Sequence, residues 1–181
     1  MTQIEIQTNA PQETQQIGRV LGQILLEMTR SGNLSQQIIA LQGELGAGKT
    51  TFTQGFASGL GITEHVTSPT FTLVNEYETS MGCPFVHVDS YRLGDLTANS
   101  GEEDDSIALD AATFGLEEIL DDGQAIVVIE WADRVASLLG DDYLRVELGY
   151  LGESLDGRRL VLKGVGHQSV SIVSKMKAEM M

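Results

Sequence analysis

The chain has 181 residues, with 26 acidic against 11 basic side chains and a formal net charge of −15. At 41% hydrophobic and 20% charged, it has the composition of one globular domain with a real core rather than of a disordered segment. The acid excess argues against a free-standing binder of nucleic acid or anionic membrane, because such proteins draw affinity from a basic face that releases counterions.

Met1 to Gln15 shows no basic stretch followed by an apolar one, so no secretory signal is expected. No run approaches the ~18 apolar residues of a membrane span. Cys83 stands alone, which suits a reducing cytoplasm. Along the chain, Ile4-Glu5-Ile6 alternates like a half-exposed strand. A helix is predicted to open at Pro11 and to end near Ser31-Gly32-Asn33, with Ile17, Val20, Leu21, Ile24, Leu25 and Met28 on one face. Ile38-Ile39-Ala40-Leu41 reads as a buried parallel strand. A glycine-rich turn and a helix from about Lys49 to Leu60 follow it.

Phe71 to Tyr77 and Phe85 to Val88 are predicted to be neighbouring strands joined through Met81-Gly82. A polar interval then leads to an amphipathic piece, Gly115 to Leu120, and to the apolar strand Ile126 to Ile129. Asp133 to Leu139 reads as a short helical stretch, and Tyr143 to Leu148 and Arg159 to Leu162 as closing strands. The expected class is α/β, a P-loop NTPase-like three-layer fold with a mixed, largely parallel central sheet. One domain is expected over residues 1–165, with an acidic insertion at about 94–113 and a polar C-terminal tail at 166–181, for which a helix from Ser169 on is one reading.

One loop carries chemistry. Gly43-Glu44-Leu45-Gly46-Ala47-Gly48-Lys49-Thr50 meets every fixed position of the phosphate-binding pattern G-x-x-x-x-G-K-[ST]. Its glycines let successive backbone N–H groups turn inward as an anion nest, and the following helix adds its positive end. Lys49 is placed to reach the β- and γ-phosphates and the Thr50 hydroxyl to ligate Mg²⁺. An Asn-Lys-x-Asp element that would select guanine is absent, so ATP is the expected nucleotide. Arg92, Arg134, Arg158 and Arg159 are scattered and form no arginine-rich lid of the kind small-molecule kinases close over their substrates.

Two acids stand where parallel sheets place ligands, at the ends of apolar strands. Glu130 follows Ile126 to Ile129 and Asp89 follows Phe85 to Val88. Each is equally an ordinary strand-terminating carboxylate. Thr67-Ser68-Pro69-Thr70-Phe71-Thr72 offers hydroxyls suited to sensing Mg²⁺ or the γ-phosphate, though by itself it is first a turn entering a strand. His65, His87 and His167 show no metal-ligand spacing, and His87 is assigned no role.

Four blocks in order resemble the bacterial TsaE family, small ATPases of tRNA threonylcarbamoyladenosine synthesis. They are Gly43 to Phe52, Val66 to Tyr77, His87 to Leu93 and Ile129 to Arg134. The resemblance implies an Mg²⁺-dependent ATPase that works with the TsaB–TsaD pair and reaches tRNA only through those partners, with no membrane involved. It makes Thr50 and Glu130 the Mg²⁺ ligands and Asp89 and Thr72 candidates for catalytic or switch roles. Glu44, Leu45, Gly46, Ala47, Gly48, Lys49, Thr50 and Thr51 would hold the nucleotide, with Trp131, Arg158 and Asn9 close by. The base that activates water stays open between Asp89 and a water positioned by the 67–72 segment. A small-molecule kinase and a nucleotide-sensing module without turnover are the alternatives. Between Arg92 and Arg134 lie 12 acidic residues and no basic one, so much of the acid excess falls in or near the insertion, where the chain is longer than the family pattern.

Overall fold

The computed structural model describes residues 2–32, 36–93, 115–152 and 154–180. The expected acidic insertion at about 94–113 and the Asn33 end of the first helix lie outside them. Seven strands form one sheet: β1 (Gln3–Thr8), β2 (Gln37–Gln42), β3 (Val74–Glu78), β4 (Pro84–Asp89), β5 (Ile126–Glu130), β6 (Tyr143–Tyr150) and β7 (Arg158–Val165). Their spatial order is β1-β7-β6-β2-β5-β4-β3. The middle four are mutually parallel, and the three outer pairings are antiparallel. This is the mixed sheet that the apolar runs predicted. β2 and β5 are covered on both faces, which is why their central runs, Ile38 to Leu41 and Ile126 to Ile129, are apolar without interruption.

Helices α1 (Pro11–Arg30), α2 (Lys49–Gly59) and α4 (His167–Met180) cover one face. The short α3 (Leu116–Asp121) and a 3₁₀ turn over Ala132–Leu138 cover the other. Each face has its own core. On the α1/α2 side, Leu21, Leu25, Phe52, Phe56 and Phe85 are fully buried over Ile39, Leu41 and Val128. On the far side, Leu93, Leu116 and Val135 pack on Ala40, Val88, Val127 and Ile129. Among the described residues, no helix is long and apolar enough to cross a membrane.

Two sequence expectations change. Phe71 to Leu73 do not belong to a strand: the amide of Leu73 donates to the Pro69 carbonyl, and Leu73 itself takes φ 65°. The turn that Pro69 stiffens therefore runs further than the β-prone residues suggested, and β3 starts at Val74. The C-terminal segment takes the helical one of its two readings, but it is packed into the core rather than a tail. Ile172, Val173 and Met176 of α4 are fully buried in the same core as α1, a spacing of 1, 3 and 4 that polar neighbours masked.

Asp142 anchors the start of α4, accepting from the amides of Gln168 at 2.7 Å and Ser169 at 2.9 Å. Asp142→Ala is expected to lower stability by about 1 kcal/mol, the usual cost of a lost helix cap. Urea denaturation measures the loss, and faster amide exchange confined to α4 locates it.

Candidate functional site

The loop between β2 and α2 is shaped by glycine. Gly43, Gly46 and Gly48 take φ of 147°, 76° and 99°, values that side chains with a Cβ rarely adopt. Gly48 is the N-cap of α2, and the amide of Phe52 donates back to its carbonyl as the helix begins. The amides of the first turn thus belong to the open, positive end of the helix. Arg158 on β7 braces the loop from behind: Nε donates to the Ala47 carbonyl and Nη2 to that of Gly46, both at 3.0 Å. The hydroxyl of Tyr150 donates to the Leu45 carbonyl at 3.1 Å, and the Arg158 guanidinium lies over its ring. The carbonyls of Leu45, Gly46 and Ala47 are thus tied on the Arg158–Tyr150 side, and the loop closes on itself where the Ala47 amide donates to the Glu44 carbonyl at 3.1 Å.

A cavity of about 370 Å³ is lined by the loop, by Lys49, Thr50 and Thr51, and by Ser68, Thr70, Asp89, Glu130 and Trp131. Asp89 and Glu130 are paired residues at the adjoining ends of β4 and β5. Register thus places them side by side, both buried. The Thr50 hydroxyl donates to Glu130 at 3.0 Å and 3.2 Å. Asp89 Oδ2 accepts from Thr70 at 2.7 Å and Ser68 at 2.9 Å, and Oδ1 from the amide of Tyr91 at 2.9 Å. Lys49 is 5% exposed. Its Nζ donates to the carbonyls of Gly43 and Glu44 and sits 3.7 Å from the centroid of the Trp131 ring. Burial holds the Lys49 ammonium below the usual lysine range, while the charges of Glu130, Asp89 and Asp133 pull it back up.

Trp131 follows Glu130 with φ 59°, in the left-handed region. Ser90 secures this turn, its hydroxyl donating to the carbonyls of Glu130 and Trp131, both at 2.8 Å. The ring of Tyr91 packs at 4.9 Å on that of Trp131, and the guanidinium of Arg134 bonds the Tyr91 carbonyl. Trp131 is therefore a wall of the cavity rather than core filling.

Not every residue expected at the site is there. Thr72 is exposed, and its hydroxyl donates to Asn75; the hydroxyls that meet Asp89 are those of Ser68 and Thr70. The extended turn at Pro69 carries Thr72 past the site. Asn9 is exposed at the entrance to α1, where its amide donates to Glu13 at 2.7 Å. Its neighbours along the chain, Pro11 and Thr14, line a recess of about 60 Å³ shared with Gly46, Gly48, Thr51 and Arg158. Glu44 contributes its carbonyl and leaves its side chain exposed.

His87, which the sequence left without a role, is fully buried beneath the site, with Nε2 2.9 Å from Glu130 Oε1. Its place two residues before Asp89 put it on the same face of β4. That spacing was the signal available in the sequence.

The family model of TsaE, the threonylcarbamoyl adenosine biosynthesis protein, matches residues 8–160. A Bacillus subtilis protein named tRNA threonylcarbamoyladenosine biosynthesis protein TsaE is 34% identical over 93% of this chain and 90% of its own length. The protein of the same name from Streptomyces coelicolor is 37% identical over 83% of this chain and 92% of its own length. The crystal structure of Bacillus subtilis YdiB superposes with a TM-score of 0.71 at 26% identity, covering 99% of this chain and 97% of that one. With the glycine-rich loop, the paired strand-end acids and the matched span in one place, the chain belongs to the TsaE family.

Proposed function

We propose that the protein is an Mg²⁺-dependent ATPase that supports formation of tRNA threonylcarbamoyladenosine together with the TsaB–TsaD pair. The observation that carries this reading is the convergence of the loop, Lys49, Thr50, Asp89 and Glu130 on one cavity, in a chain whose family is defined by that pathway. The oxygen donors fit the ion. The Thr50 hydroxyl and Glu130 carboxylate are in contact at the cavity wall, and Mg²⁺ takes one or two such protein ligands and fills its octahedron with water and phosphate oxygens.

The chain's own groups divide the work. The nest and the start of α2 hold the phosphates by backbone N–H groups. Lys49 exchanges its two loop carbonyls for phosphate oxygens and meets the charge that builds on them in the transition state. Thr50 and Glu130 would hold the Mg²⁺, which when bound would supply positive charge to the phosphates. Asp89, fixed by three donors, is the acceptor that orients the attacking water, and Ser68 and Thr70 couple it to the 67–72 turn. Trp131 closes the cavity beside the phosphates. The lone Cys83 suits a cytoplasmic setting, and tRNA is reached through the partners, since the chain carries a charge of −15.

Reconstitution tests the reading. Threonylcarbamoylation of tRNA by the TsaB–TsaD pair is expected to be sustained over many turnovers only with this protein and ATP, with phosphate released to water. Undiminished modification without it, or transfer of phosphate to a metabolite instead, would refute the proposal.

A further inference from the structure

Glu130 is held from two sides. Thr50 approaches from the cavity, and His87 approaches from within the protein. His87 is 0% exposed, and its ring packs nearly parallel to that of Phe85, with centroids 6.4 Å apart. A carboxylate only accepts hydrogen bonds, so the imidazole proton facing Glu130 must sit on Nε2. Nδ1 is buried, and among the described residues it has no hydrogen-bond partner. A proton there would be a buried donor left unmade, which is costly, so the ring has one favoured tautomer and one orientation. It gives that donor to Oε1. Thr50 reaches both oxygens, Oε1 at 3.0 Å and Oε2 at 3.2 Å, so Oε2 is the one His87 leaves without a contact from within the protein.

We propose that His87 is a positioning residue for the metal-binding carboxylate: its Nε2–H holds Oε1 from within the protein and so locks Glu130 in the rotamer that faces Thr50. The inference rests on the reading of Glu130 as an Mg²⁺ ligand. A buried glutamate without this bond could turn about its terminal torsions, which are broad. The cation would then have to organise its own ligand. Partners that orient a ligating side chain typically set metal affinity by about 10–100-fold. His87 as plain core filling predicts something else: loss of stability with no selective effect on the metal.

The protein has a single tryptophan, Trp131, in the cavity wall, so its fluorescence reports site occupancy. The experiment titrates Mg²⁺ into the full chain with a non-hydrolysable ATP analogue, and titrates the analogue alone in chelator. For His87→Leu, the Mg²⁺ half-saturation point is expected to rise about 10–100-fold, with metal-free affinity for the analogue held within about twofold. His87→Gln restores an N–H donor near the Nε2 position and is expected to recover most of the Mg²⁺ response. A wild-type Mg²⁺ response in His87→Leu, or a His87→Gln protein as impaired as His87→Leu, overturns the proposal. Glu130→Ala separates the two layers. If it keeps the Mg²⁺ response, the ligand reading itself fails; if it loses the response while His87→Leu does not, only the role of His87 fails. Should His87→Leu not fold, nitrogen NMR of the wild-type ring decides. The Nε2–H tautomer supports the proposal, and an Nδ1–H tautomer overturns it.

Discussion

Lys49→Ala is expected to weaken nucleotide triphosphate binding and turnover by about 10²–10³-fold, the scale of losing one preorganised charged donor from a water-poor site. The size of the effect follows from where the ammonium sits. It is 5% exposed, among Gly43 and Glu44 carbonyls that carry no net charge, with Glu130 and Asp89 nearby. Without the lysine, the triphosphate would face two buried carboxylates, and their repulsion would add to the lost attraction. Lys49→Arg is expected to rescue little, because a planar fork replaces a compact point charge on a stem that must swing from loop to phosphate. Folding should survive, since removing a desolvated cation also removes its burial cost. The measurements are analogue affinity from Trp131 fluorescence and phosphate release in the reconstituted reaction. Affinity within a few-fold of wild type would show that the loop is not the phosphate site.

The second large effect lies outside the cavity. α1 and α2 meet through glycines four residues apart on each helix, Gly18 and Gly22 against Gly55 and Gly59. A Cβ on Gly55 would fall 1.9 Å from the Gln15 carbonyl oxygen, and one on Gly59 would fall 2.2 Å from that of Arg19. On α1, Gly18 and Gly22 would place a Cβ 2.2 Å and 2.3 Å from the carbonyl oxygens of Phe52 and Phe56. These are backbone atoms, so no side-chain rotation relieves the clash. Alanine is the better helix former by about 1 kcal/mol, yet Gly55→Ala is expected to cost about 3 kcal/mol or more, because the helices must separate and unpack Phe52 and Phe56. For a chain of this length, that lowers Tm by about 6–12 °C. Gly149 supplies the control: a Cβ there would meet no atom within 4 Å, and its φ lies outside the left-handed region. Gly149→Ala should therefore leave Tm nearly unchanged. Since α2 begins at Lys49 and Thr50, Gly55→Ala should also weaken analogue binding. Equal melting of the two variants would contradict this account of the helix contact.

Much of this protein was determined by local sequence. The loop from Gly43 to Thr50 is specified by glycine conformations and by side chains adjacent in the chain, so its chemistry is readable without a fold. The uninterrupted apolar runs of β2 and β5 likewise imply a sheet covered on both faces, and Asp89 and Glu130 stand out as the polar residues that end such runs. Tertiary structure decided how those pieces meet. Only the parallel register of β4 and β5 sets Asp89 beside Glu130. The Pro69–Leu73 turn decides that Ser68 and Thr70 reach Asp89 while Thr72 does not. The same holds for His87, an ordinary strand histidine until the strand beside it supplies a carboxylate. It holds too for α4, whose three buried apolar side chains gain meaning only from the core they enter. Each of these depends on contacts between residues far apart in the chain: local spacing can mark a face, as at His87 and along α4, but it does not say what packs against that face.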